Sequence, residues 1–231
     1  MSMTKPEIAT WSVVAVALAA VVTFAALTRR RPEPTPTSTE TPTPAATEPP
    51  VESAGLAPQR TTELLDEPAG ELGDFAVVER SGRAMKTSEL RGKFVVADCI
   101  FTSCAGTCPA MSLQMAALAK AVRGADDVRL ASFSVDPARD TVEALAKYAD
   151  RYEADKSQWL FLRAEPVVMK EIAFDRLKLV PDPDEIIVHS ALFALLDREG
   201  KIRAYYAPLK DERWLPKLLA DLEKLRREPA K

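Results

Sequence analysis

FVVADCIFTSCAGTCPAM, Phe94–Met111, is the stretch on which the fold turns. Its first part, FVVADCIF (Phe94–Phe101), is almost continuously apolar, the pattern of a strand covered on both faces. FTSCAGTCPAM (Phe101–Met111) follows, with two cysteines, Cys104 and Cys108, separated by Ala-Gly-Thr. Pro109 then suits a first helical position. Met111, Met115, Leu118 and Val122 recur at helical spacing, and Gly124 ends the run. The cysteines therefore sit between a buried strand and a helix N-terminus.

Outward from this point the chain alternates strands and helices. Upstream, FAVVERSGRAMKT carries a Ser-Gly turn between arms Phe75–Glu79 and Arg83–Thr87. Downstream, Val128–Val135 reads as a strand. Asp140 reads as the cap of a helix bearing Val142, Leu145, Ala149 and Tyr152 on one face. Trp159–Leu162 reads as a short strand and Pro166–Phe174 as a short helix. Ile186–Asp197 and Ile202–Tyr206 read as a second hairpin. Asp211 to Arg226 closes the chain as a helix with Trp214, Leu215, Leu218, Leu219, Leu222 and Leu225 facing inward. Strand–helix–strand units imply parallel neighbours with helices on the faces. The expected fold is α/β, a thioredoxin-like domain with an N-terminal hairpin extension. It is assigned to residues 72–231, and a domain of roughly 150 residues buries nearly 70% of its unfolded surface.

The N-terminal part has a different composition. After a short tail, residues 1–8, the run Ala9–Leu27 carries no charge over 19 residues. As a helix it would reach ~28 Å, close to the hydrocarbon core of a bilayer. A transmembrane anchor is expected in preference to a cleaved signal peptide, whose apolar region is usually shorter. Residues 28–71 are Pro- and Thr-rich, cannot bury a core, and read as an extended stalk. With Glu7 and so short a leader there is no transit-peptide pattern, so a bacterial inner membrane is expected. Arg29, Arg30 and Arg31 after the span favour, by the positive-inside rule, a domain on the cytoplasmic side.

The 231 residues carry a net charge of −3 and no basic surplus for nucleic acid. Three cysteines are too few for a disulfide scaffold, and the single histidine, His189, excludes sites needing two or three imidazoles. A helix N-terminus favours thiolate, which is both nucleophile and metal ligand. The three-residue spacer is wider than the common C-x-x-C dithiol. It leaves open a disulfide, a redox pair, or two sulfurs about 2.2–2.3 Å from one metal ion. Two thiolates suit Cu(I), and with one imidazole they make a three-coordinate copper site.

FTSCAGTCPAM resembles the cysteine signature of the Sco/SenC proteins, copper-binding proteins of thioredoxin fold. SVDPARDT (Ser134–Thr141) resembles their second signature, and VHSALFALLDREGKI (Val188–Ile202) the third. The resemblance implies that Cys104 and Cys108 are thiolate ligands and His189 the imidazole ligand of one copper ion per domain, Cu(I) or Cu(II). It implies a role in building the dinuclear copper centre of cytochrome c oxidase. The partners would be the copper-bearing oxidase subunit, with other copper chaperones or a thiol reductant. The oxidase copper centre would place the domain on the periplasmic face, against the flanking charges. Asp136 matches an acidic position of the second signature and is a candidate partner contact.

Other residues carry weaker signals. Asp98 stands six residues before Cys104, the spacing of the buried aspartate in thioredoxin, and could accept a proton from the deeper thiol. Cys99 reads as a buried small hydrophobe, and Met111 and Met115 as core. The leading functional expectation is a membrane-tethered copper metallochaperone that is not an enzyme. The alternative is a thiol–disulfide oxidoreductase in which Cys104 attacks and Cys108 resolves. A thiol peroxidase fits less well, because it does not ordinarily carry a second thiol at this spacing.

Overall fold

The computed structural model describes residues 64–180 and 191–229. Backbone contacts divide the chain into Met1–Glu52 and Ser53–Lys231, and only the second unit holds described residues. The anchor expected over residues 9–27, most of the stalk, and His189 lie outside the described residues. Among the described residues no helix is long and apolar enough to cross a membrane.

A seven-stranded mixed sheet organises the domain. In chain order its strands are β1 (Ala76–Glu79), β2 (Ala84–Lys86), β3 (Phe94–Ile100), β4 (Val128–Ser134), β5 (Trp159–Arg163), β6 (Phe193–Leu196) and β7 (Ile202–Tyr206). The spatial order is β2-β1-β5-β4-β3-β6-β7. Strands β3, β4 and β5 are parallel neighbours, and the hairpins β1–β2 and β6–β7 add antiparallel edges on either side. The helices are α1 (Thr107–Ala121), α2 (Val142–Asp150), α3 (Pro166–Lys170), which widens into a π turn over Glu171–Arg176, and α4 (Trp214–Arg227). The crossovers β3-α1-β4 and β4-α2-β5 need helices because parallel strands cannot be joined by a tight turn.

Every residue of β3 is buried, and its side chains alternate between two cores. Phe94, Val96 and Ile100 join Met111, Met115 and Leu118 of α1, Leu145 and Tyr148 of α2, and Trp214, Leu218, Leu222 and Leu225 of α4. Val95, Ala97 and Cys99 join Met169, Ile172 and Leu177 from the α3 segment on the other face. This double cover explains the unbroken apolar run that marks β3 in the sequence. It also settles Met111 and Met115 as packing residues.

Both hairpins and all three parallel strands lie where the sequence puts them, to within a residue or two, for the parts described. Several local readings are corrected. Helix α1 starts at Thr107, so Pro109 is its third residue; a first-turn N–H has no partner within the helix, so proline is tolerated there too. Cys108 is thereby inside the first turn. The cap of α2 is Thr141, whose Oγ1 accepts from Ala144 N at 3.2 Å, and not Asp140, which is buried and turned elsewhere. Tyr152 lies past the end of that helix. Of the strand expected from Ile186, the described part begins only at Phe193. Residues 64–71, which composition places in the stalk, include a segment hydrogen-bonded to β7 and its turn: Leu65 N donates to Arg203 O at 2.7 Å and Ala69 N to Ile202 O at 3.0 Å.

Candidate metal and dithiol centre

The C-terminal ends of β3 and β4 meet at one edge of the sheet, and the cysteine loop leaves from there. Ile100 pairs with Ser134, and Val135 N donates to Ile100 O at 2.9 Å. Phe101 to Cys104 then form a turn closed by Cys104 N donating to Phe101 O at 3.2 Å. Gly106 caps α1 without a side chain. Cys108, one residue into the helix, donates its N–H to Cys104 Sγ at 3.4 Å. Both thiols are buried, with 7% and 4% of their surface exposed, and share one apolar cluster with Cys99, Phe101 and Val135. Among the described residues no disulfide links the three cysteines.

The two thiols are electrostatically unequal. Burial alone would raise the Cys104 thiol. The N–H groups of Cys108, Gly106 and Thr107, with the Cys108 side chain, outweigh it and hold Cys104 below its ordinary value. Cys108 is pushed up to about 12, first by burial and then by the neighbouring Cys104 sulfur and the Asp98 carboxylate. Burial, with Asp98 and Cys108 adding to it, raises Cys99 well above the usual thiol range. Cys104 is thus the sulfur nearer to thiolate, Cys108 the more firmly protonated of the pair, and Cys99 a protonated core thiol.

This asymmetry predicts a labelling ratio. At pH 8 about one Cys108 thiol in ten thousand is ionised, while Cys104, held below its ordinary value, carries a far larger thiolate fraction. The higher basicity of the Cys108 thiolate returns part of that difference. Iodoacetamide should therefore modify Cys104 more than about tenfold faster than Cys108, as read by peptide mass spectrometry of the reduced chain. Equal rates would show that the helix N–H groups do not stabilise the Cys104 thiolate.

Asp98 lies mid-strand, completely buried, paired across the sheet with Ser132. Neither of its carboxylate oxygens has a hydrogen-bond partner of good geometry among the described residues. The Ser132 hydroxyl, which accepts from Trp159 Nε1 at 2.9 Å and keeps its own proton to offer, lowers the Asp98 pKa. Burial dominates and raises Asp98 to about 7. Asp136 is half-buried in the loop after β4; its Oδ2 pairs with Arg139 Nε at 2.9 Å, and its N–H donates to Ser134 Oγ at 3.3 Å.

Sequence reasoning passed over Asp140 as anything but a cap. Its buried carboxyl accepts from Thr102 Oγ1 and Ser134 Oγ, both at 2.6 Å, and from Thr102 N at 3.1 Å. It thereby joins the cysteine loop to the loop of SVDPARDT. No signal in the sequence connects residues so far apart.

Within the described residues the donor set at this edge is two sulfurs; no group of three or more His, Cys, Asp or Glu side chains there could hold a metal ion. Two adjacent soft sulfurs fit a copper ion, provided a further ligand comes from outside those residues.

A thioredoxin-like α/β sheet with a polarised cysteine pair at the head of its first crossover helix defines the class. The model of the SCO1/SenC family matches residues 65–225, and the chain belongs to that family. It is 31% identical over 141 residues to a SCO1 protein homolog of Bacillus subtilis, spanning 59% of this chain and 73% of that one. Among solved structures it is similar to BsSco, described as a member of the Sco family of cytochrome c oxidase assembly proteins with a disulfide switch. That match has a TM-score of 0.62 and 27% identity, over 72% of this chain and 99% of the other. It also shares the fold of ScoI from Arabidopsis thaliana, solved with copper bound, at a TM-score of 0.53 and 20% identity, over 66% of this chain and 98% of that one.

Proposed function

We propose that this chain is a membrane-tethered copper carrier that binds one copper ion through Cys104, Cys108 and His189 and passes it to the copper-bearing subunit of cytochrome c oxidase during assembly. The observation that carries the reading is the meeting of two sulfurs at one sheet edge, one of them held toward thiolate, in a chain of the SCO1/SenC family. The copper-bound ScoI structure on the same fold supports the choice of metal. Copper here is cargo. Soft thiolates hold Cu(I), and the imidazole helps accommodate Cu(II). A three-coordinate site lets an incoming partner thiol bind before one of the carrier's ligands leaves. Both cysteines must be reduced to load, so copper binding and disulfide formation compete.

The anchor over residues 9–27 would hold the domain at the outer face of a bacterial inner membrane, with the stalk as spacer. A reporter active only after export, fused after Lys231, tests that orientation; activity confined to the cytoplasm would reverse it. Metal analysis of the reduced full-length chain tests the site itself. One copper per chain is expected, with an intense sulfur-to-copper charge-transfer band in the Cu(II) form. Absence of stoichiometric copper would sink the carrier reading.

A second reading rests on the unequal thiols and on the disulfide switch described for BsSco. Cys104 thiolate attacks a partner disulfide, forming a mixed disulfide and releasing one partner thiolate. Cys108, after losing its proton, attacks Cys104 Sγ and releases the second partner thiolate. The partner gains two electrons, and the chain is left with a Cys104–Cys108 disulfide. His189 has no part in those steps. His189→Ala therefore separates the two: it should sharply weaken Cu(II) binding and leave reduction of a partner disulfide near intact.

A further inference from the structure

We propose that Asp140 is a positioning residue for the thiol pair, acting through Thr102 to fix the Cys104 sulfur against the head of α1. The proposal deepens the dithiol and copper reading above and rests on it for its metal readout.

The argument is mechanical. Cys104 is the last residue of a four-residue turn, Phe101–Cys104, whose own closing hydrogen bond is a long one at 3.2 Å. Thr102 is the first corner of that turn, and both of its polar groups end on one carboxyl. Its N–H lies 3.1 and 3.2 Å from the two Asp140 oxygens, and its hydroxyl donates to Oδ1 at 2.6 Å. Asp140 is itself fastened to the sheet. Its Oδ2 accepts from Ser134 Oγ at the end of β4 at 2.6 Å, and its N–H donates to Asp136 O at 2.9 Å. Ser134 in turn sits opposite Ile100, the last residue of β3. The corner of the thiol turn is therefore referred to rigid β4, while Cys108 is referred to α1. The distance between the two sulfurs is set by where those two supports hold their ends.

Asp140 is completely buried, so removing its carboxyl would leave the buried Ser134 hydroxyl and the half-buried donors of Thr102 without their acceptor. Without the clamp, the Phe101–Cys104 turn keeps its own closing bond but loses its tie to β4, so Cys104 Sγ can shift relative to the Cys108 N–H, now at 3.4 Å. Partners that orient ligands from behind in this way change metal affinity by about 10–100-fold when removed.

The test uses the full-length reduced chain and three variants. Thr102→Val keeps the branched shape and the backbone N–H bond and removes the hydroxyl arm. Asp140→Asn keeps the size and weakens both arms. Ser134→Ala removes the arm that points away from the thiols. Two quantities are read: Cu(I) affinity by competition with a chromophoric chelator, and the equilibrium between the dithiol and the Cys104–Cys108 disulfide in glutathione buffers. Thr102→Val and Asp140→Asn should lower Cu(I) affinity about tenfold or more and shift the redox equilibrium towards the dithiol form. Ser134→Ala, which unfastens Asp140 from β4 but leaves its N–H bond to Asp136 O, should shift both readings in the same direction by a smaller factor. Wild-type values for Thr102→Val would overturn the proposal even if Asp140→Asn fails to fold. So would a Ser134→Ala effect larger than that of Thr102→Val, since the loss would then not run through the Thr102 arm. If the wild-type chain binds no copper, the carrier reading fails, and the glutathione equilibrium still decides the role of Asp140.

Discussion

Cys104→Ser, Cys108→Ser and His189→Ala should each cost this protein more than about a hundredfold in copper affinity, beyond the 10–100-fold typical of residues that only orient a ligand. The three losses should differ in kind. Removing either sulfur leaves one soft donor, so Cu(I) affinity collapses and the charge-transfer band of the Cu(II) form disappears. Removing the imidazole leaves the two thiolates that Cu(I) prefers, so the Cu(II) form suffers most. Cys99→Ser is the control. Cys99 packs in the same buried cluster as the pair, but it lies within strand β3 and not in the loop that brings Cys104 and Cys108 together, so its loss should leave metal stoichiometry at wild type. The measurements are metal content after desalting, chelator competition for Cu(I), and absorption spectra for Cu(II). Full copper binding by Cys104→Ser would remove the site from the cysteine loop altogether.

Much of this was legible in the sequence because the decisive features are local. The buried β3 announces itself by an unbroken apolar run, and α1 by methionines and leucines at helical spacing; both reflect contacts with a sheet face that repeat along the chain. Cys104 and Cys108 lie within one loop, so sequence distance and spatial distance agree. The fastening of that loop was illegible for the opposite reason. Asp140 and Thr102 meet only because parallel pairing brings the ends of β3 and β4 together. An aspartate just before a helix ordinarily reads as its cap, and here the next residue, Thr141, does that work. Asp98 was half legible. Its spacing from Cys104 invited a buried role, but an aspartate in a strand is as easily placed on an open face. Only the cover on both sides of β3 decides for burial.

The burial of Asp98 carries the other large expected effect, a stability that falls as pH rises. In the unfolded chain an aspartate titrates near 3.9, while in the fold Asp98 is raised to about 7. A group whose folded value lies above its unfolded value contributes fully below the unfolded value. Its contribution is lost as pH climbs towards the folded one, because the native state must keep a proton that the unfolded chain gives up. The window is therefore about pH 4 to 7, and the loss levels off above it. At about 1.4 kcal/mol per pKa unit the drop is at most about 4 kcal/mol. Asp98→Asn should remove this pH dependence. Under reducing conditions, denaturant unfolding should find the variant close to wild type near pH 4 and more stable by up to about 4 kcal/mol at pH 8. Surface carboxylates held down by arginines, such as Asp127 beside Arg226, titrate in both proteins and cancel in the difference. A difference that is the same at both pH values would mean that Asp98 is not the buried, proton-retaining carboxyl described here. If the difference appears, a carboxyl that costs the fold this much at neutral pH calls for a functional account. The thiol-exchange reading offers one, since the Cys108 thiol, pushed up to about 12, feels the Asp98 charge and must lose a proton to resolve a mixed disulfide. The same Asp98→Asn variant should then reduce a partner disulfide more slowly at the resolving step while forming the mixed disulfide at Cys104 at the wild-type rate.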